Sequence, residues 1–181
     1  MPDNNISINQ TKKWLENVII KHTLCPFAKH EHDNGRIHYE VIETADLHSQ
    51  LEQIAAQFTA LDTDANRETS LLIFPLGLSE FKNYLDMLNI AEDLLKQQGY
   101  EGVYQLASFH PGYCFAGARV DDPSNYTNKS PYPMLHILRE SSVEAALKNY
   151  PNPEKIPERN IQLTKDLGLK VMTALLEECY K

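Results

Sequence analysis

The chain has 181 residues, with 17 Lys and Arg against 25 Asp and Glu, a net charge of −8 when histidines are neutral, and 42% apolar residues. That size and composition fit one folded domain with its own core, and the acidic balance, with no Lys/Arg-rich run, argues against a surface for nucleic-acid backbones. Cys25, Cys114 and Cys179 form no disulfide framework, Met1 to Gln10 hold no apolar signal core, and no apolar run approaches the ~20 residues of a membrane span, so a single cytoplasmic domain over 1–181 is expected.

Residues 11–22 read as a helix with Trp14, Leu15, Val18 and Ile19 on one face. Pro26 ends it, and Cys25 lies just before that proline. His30 to Gly35 reads as a polar turn. Ile37, Tyr39 and Val41 alternate with polar residues as in a half-exposed strand. Leu47, Leu51, Ile54, Ala55 and Phe58 repeat at helical spacing. The run Leu71-Leu72-Ile73-Phe74, closed by Pro75, suits a central strand buried on both faces. Phe81, Tyr84, Leu85, Leu88, Leu94 and Leu95 form the next helical stripe, with Ser79 as a cap and Gly99 at its end. Val103 to Phe109 reads as a third strand and Met134 to Leu138 as a fourth. Ser141-Ser142-Val143-Glu144 has the form of a capping box. Pro151, Pro153 and Pro157 punctuate a linker before one final helix. The order α-β-α-β-α-β-loop-β-α-α predicts an α/β (or α+β) domain with one small mixed sheet of four strands, a ferredoxin-like split βαβ being the alternative.

The segment between the third and fourth strands, 110–133, is longer than most loops of compact domains and is the expected functional surface. It holds Tyr113, Phe115, Tyr126 and Tyr132 as anchors, and Asn125 and Asn128 among its polar groups. The same polar groups also suit an Ω-loop that satisfies itself. His110 sits at a strand end, where α/β sheets place catalytic groups; its imidazole can act as acid/base or simply bond the loop it begins. Cys25 is a candidate nucleophile, or a buried structural thiol, since a preceding helix C-terminus opposes thiolate formation. His136 and Arg139 point to opposite faces of a regular strand. Arg139 can grip a carboxylate or phosphate, or pair with Glu140, Glu144 or Glu158. The set His22, Cys25, His30 and His32 matches no standard zinc module, so no metal is expected. Gly-rich phosphate loops and a Gly-x-Ser-x-Gly elbow are absent, and the sequence names no cofactor.

Several stretches taken together carry a resemblance: Trp14 through Leu24-Cys25-Pro26-Phe27-Ala28, Gln105 through His110-Pro111, Phe115-Ala116-Gly117, Asp121-Asp122, Asn125, Thr127 through His136, and Ile156-Pro157-Glu158-Arg159-Asn160. The chain resembles the domain of unknown function 1415 family, bacterial proteins of about this length. The resemblance implies one intact domain and brings no activity to transfer. Its motifs pass through Cys25, His110, Asn125, Asn128, His136, Arg139, Glu158 and Arg159, and bypass His22, His30 and His32. Cys114 departs from the pattern, and Lys129 stands where arginine is usual.

Two functional expectations follow. In the first the protein is enzyme-like, with a polar pocket for an anionic small molecule built around 110–140. His110 is then the acid/base and Cys25 a nucleophile, while Asn125, Asn128, His136, Arg139, Glu158 and Arg159 bind ligand. In the second the aromatic loop 113–133 is the partner surface of a non-catalytic binding or assembly module. Glu158-Arg159-Asn160, set behind Pro157, is expected to fold back on 110–140 and meet His110 or Arg139.

Overall fold

The computed structural model describes residues 4–181. Helix α1, Asn4–Trp14, starts seven residues before the expected position. Its early turns hid from hydropathy because the inward-facing residues there are Ser7 and Thr11, small and polar but fully buried. The chain continues into a π-helical turn, Leu15–Ile20, whose wider loops show in Lys21 N–H to the Glu16 carbonyl (3.0 Å) and Leu24 N–H to the Ile19 carbonyl (2.8 Å). A short helix α2, Ala28–Asp33, replaces much of the expected polar turn; it buries no residue, so no apolar stripe announces it.

Strand β1 (Ile37–Val41), helix α3 (Leu47–Thr63), strand β2 (Thr69–Ile73), helix α4 (Phe81–Gln97) and strand β3 (Tyr104–Phe109) alternate as the sequence predicts, and β4 (Met134–Arg139) returns after the long loop. The protein is α/β with one four-stranded mixed sheet, ordered β1-β2-β4-β3. β1 and β2 pair in parallel; β4 is antiparallel to both β2 and β3. The crossover through α4 therefore leaves one strand's width open, and β4 fills it. That unit is a split βαβ, whereas β1-α3-β2 is not, so the sheet combines both layouts.

All five residues of β2 are buried, as a strand covered on both faces requires. One face carries α3 and α4, with Ile54, Phe58, Leu61, Tyr84, Met87 and Ala91 packed on Leu72, Leu135 and Ile137. The other carries α1 and the C-terminal helices, with Trp14, Val18, Ile19 and Met172 packed on Leu71, Ile73 and Met134.

Three local expectations are corrected. Helix α4 begins behind Glu80 with no side-chain cap, so Ser79 does not cap it. Helix α5, Glu140–Lys148, starts behind Arg139, again without a side-chain cap, and Ser142 bonds Glu68 instead of closing a capping box. The expected single final helix is two: α6 (Ile156–Leu167) and α7 (Leu169–Glu178), broken at Gly168 with φ 81° and ψ 160°.

Candidate functional site: two chambers meeting at Cys25

The 110–133 segment is ordered by its own polar groups. Asn125 is fully buried; its Oδ1 accepts the Phe115 N–H (3.0 Å), and its Nδ2 donates to the Arg119 (2.8 Å) and Val120 (3.3 Å) carbonyls. Asn128 ties the segment to β3, donating to the Ser108 carbonyl (3.0 Å) while its own carbonyl accepts the His110 N–H (3.1 Å). A 3-10 turn, Pro123–Thr127, buries Tyr126 against the α1 side of the sheet. Trp14 donates to the Lys129 carbonyl at 2.9 Å. Tyr113 packs on Phe81 and on Phe115, which stays exposed.

His110 is 1% exposed and both ring nitrogens are taken. Nε2 donates to the Leu78 carbonyl (2.9 Å), and Nδ1 accepts the Gly112 N–H (2.9 Å). Phe81 and Tyr84 pack on the ring. Burial lowers its pKa, only partly opposed by the Leu78 carbonyl and Glu80, so the imidazole is neutral.

Two chambers open on the α1 face. The outer one, about 690 Å³, lies between Phe115 to Ala118, the 3-10 turn and α6; Asp122, Ser124, Thr127, Asn128, Asn160 and Lys165 give it polar walls. The inner one, about 280 Å³, runs along the sheet under Trp14 and Phe27 and reaches Thr69, Leu71, Ala107 and His136. Ile19, Cys25 and Phe109 line both. Cys25 is thus exposed into the chambers yet hemmed in by protein. That crowding raises its thiol pKa, while the Phe27 and Ala28 N–H groups pull it down without cancelling the rise. The preceding helix end also opposes a thiolate.

Helix α6 positions this cysteine. Asn160 donates to the Leu24 carbonyl at 2.6 Å, and Arg159 bonds the carbonyl of Thr23, a residue held at φ 53°. Arg159 also reaches Asn160 Oδ1 at 2.7 Å. Arg139 lies on the opposite sheet face, where its guanidinium bonds the Leu61 and Arg67 carbonyls. The expected meeting of Glu158-Arg159-Asn160 with His110 or Arg139 does not occur: α6 packs against the 110–133 segment and its Lys165 reaches Asp122 there, but Arg159 and Asn160 bond the turn before Cys25. Glu158 is exposed and shares a shallow surface groove with Arg159. Of the expected site residues, then, Cys25 and Asn128 line the outer chamber and Cys25 and His136 the inner one. His110 and Asn125 brace the loop.

His136 sits at mid-strand in β4, opposite Leu71 on one side and Ala107 on the other. Its Nε2 lies 2.5 Å from Thr69 Oγ1, and that hydroxyl lies 2.7 Å from the Ile137 carbonyl. A carbonyl can only accept, so the one hydroxyl proton goes to Ile137 and Thr69 accepts from His136. This fixes the Nε2–H tautomer and leaves Nδ1 an acceptor with no partner among the described residues, on a ring that lines the inner chamber. Burial lowers the ring's pKa to about 4, so it is uncharged at neutral pH. Sequence reasoning missed Thr69, Phe109 and Lys165, and expected other partners for Asn160. Each carries an ordinary local pattern and gains its role from partners far along the chain.

Among the described residues no group of three or more His, Cys, Asp or Glu side chains is placed to hold a metal ion. His32 lies 3.3 Å from Glu16, and His30 is exposed. No described helix is long and apolar enough to cross a membrane. A family model described as Protein of unknown function (DUF1415) matches residues 6–174. No curated protein and no solved structure matches the chain.

Proposed function

The chain belongs to the DUF1415 family of proteins of unknown function, and from its site we propose an enzyme-like protein that binds a small molecule in the outer chamber with Cys25 as the reactive group. The observation that carries this reading is the position of Cys25 on the walls of both chambers, where it stays exposed. Ser124 and Thr127 put hydroxyls on the wall, and Asn128 and Asn160, already bonded to Ser108 and to Leu24 and Arg159, are fixed beside them, a preorganised polar surface of the kind active sites use. Within this reading His110 and Asn125 hold the loop that forms one wall, and α6 sets the sulfur.

The reading favours a weakly charged ligand over a strongly anionic one. Arg139 and Arg159, the expected anion contacts, turn to backbone carbonyls. The cation left at the outer chamber is Lys165, 3.9 Å from Asp122. We take the protein to act as one domain over 1–181 in a bacterial cytoplasm, with reduced thiols and without nucleic-acid or membrane partners.

Ligand-observed NMR with a set of polar fragments tests the reading. Fragments are expected to bind the native protein and to be lost after Cys25 is carbamidomethylated. Binding unchanged by that modification, or no binding at all, would remove the outer chamber as the site.

A further inference from the structure

We propose that the inner chamber is a binding site for a neutral, ring-sized apolar molecule carrying one hydrogen-bond donor, of the phenol or indole class, with the donor seated on His136 Nδ1. The inference rests on the preceding reading only in taking the ligand to enter past Cys25.

Size sets the first limit. An apolar cavity of about 150 Å³ holds a benzene; this one, at about 280 Å³, has room for a substituted ring or a fused pair. The walls set the second. Trp14 and Phe109 meet edge to face at 5.1 Å, and Leu71, Ala107 and Leu138 line the sheet side. Flat aromatic and aliphatic walls of this kind suit a planar apolar body.

Charge sets the third limit. No Lys or Arg lines the inner chamber. Its one carboxylate, Glu31, is held by Arg36 at 2.8 Å, and Arg36 is not among the lining residues. An anion meets no cation there, and a cation meets a carboxylate already paired. A neutral ligand avoids both costs.

The hydrogen-bonding inventory sets the last. The Thr69 hydroxyl is committed to Ile137 and to His136, and Gln105 is an exposed residue. Nδ1 of His136 has no hydrogen-bond partner among the described residues, and the tautomer makes it an acceptor only. An unpartnered acceptor on an apolar wall is satisfied by a ligand N–H or O–H, and its geometry is fixed before the ligand arrives because the Thr69 bond holds the ring. Ligands of similar shape without a donor leave it unsatisfied.

Trp14 is the sole tryptophan of the chain and part of the chamber wall, so its emission reports occupancy directly. The test titrates the full-length protein with phenol and with toluene, exciting Trp14 at the red edge of its band where neither absorbs. Phenol is expected to bind about ten-fold more tightly than toluene, the scale of one net hydrogen bond. In His136→Leu the two are expected to bind alike. Equal binding to the native protein, no change in Trp14 emission with either, or a phenol preference that survives His136→Leu would each overturn the proposal. Should that variant not fold, 15N spectra of the His136 ring in the native protein decide. Phenol is expected to move the Nδ1 resonance while Nε2 keeps its proton, and an unmoved Nδ1 overturns the assignment. Carbamidomethylation of Cys25 separates this result from the outer site: polar fragments displaced with no phenol preference leaves the outer chamber standing and removes the inner one.

Discussion

At the scale of single residues, His110 and His136, both desolvated by the fold, make stability depend on pH with a definite sign. His136 has its pKa lowered to about 4 in the folded chain, against 6.5 ordinarily. Between those values the unfolded chain binds the proton and the folded chain does not, so stability is fully present above 6.5 and falls as pH drops toward 4. The size of this contribution is on the order of 3 kcal/mol. His110, lowered for the same reason, adds to the slope in the same direction. Urea unfolding at pH 7.5, 6 and 4.5 is expected to show a shallower fall for His136→Gln than for the native protein. Parallel curves would mean the ring is not desolvated. A second residue, Asn125, satisfies three backbone groups of the loop at once. Asn125→Ala is expected to cost about 2–4 kcal/mol, because buried donors and acceptors lose their partners together. Limited proteolysis should then cut within 115–122, where the native protein resists.

Among the elements, the break between α6 and α7 carries the clearest consequence. Gly168 at φ 81° and ψ 160° occupies a region open essentially to glycine alone, although a Cβ there would meet no atom within 4 Å. Gly168→Ala therefore strains the backbone without a clash, and a loss of about 1–3 kcal/mol in denaturant unfolding is expected. Asn160, on the preceding helix, tests the link between α6 and the cysteine. Asn160→Ala should destabilise by about 1–3 kcal/mol and change the iodoacetamide labelling rate of Cys25. Unchanged labelling would show that α6 does not set the sulfur. These elements also show where local sequence patterns stop being informative. The stripes of α3 and α4 and the run of β2 were legible because apolar periodicity is local. α2 has no buried face to reveal it, and the Gly168 break lies inside a pattern that stays helical on both sides.

Across the whole molecule, two cores share one sheet, and β2 and β4 contribute to both. A defect on the α3 face should therefore weaken the α1 face. Phe58→Ala is expected to cost about 3–5 kcal/mol and to lower the unfolding midpoint reported by Trp14, on the far side of the sheet, as much as the one reported by far-UV circular dichroism. Separate transitions would mean that the layers unfold independently. The same long-range architecture explains why the site was only half legible. Cys25, Asn128 and His136 stood out by chemistry. What gives them meaning did not: Asn160 reaches the Leu24 carbonyl across 136 positions, and Thr69 reaches His136 across 67. The strand-end position that drew attention to His110 is filled by packing from α4, and the open space lies beneath the sheet face instead.

The π-helical turn before Cys25 gives chain length itself a role. In an α-helix each residue is worth about 100° of rotation, so one residue more or less turns everything beyond it by that angle. Leu15–Ile20 absorbs such a residue in its wide loops, and Trp14, Leu15, Val18 and Ile19 all still face inward. Asn17 in this turn is exposed. Deleting it is expected to let the helix close to an ordinary α pitch and to swing Ile19, Leu24 and Cys25 away from where Trp14 meets them. Insertions and deletions here are therefore expected to act more severely than substitutions: a new side chain at position 17 leaves the helix register intact, whereas loss of the position turns Cys25 away from the junction of the two chambers.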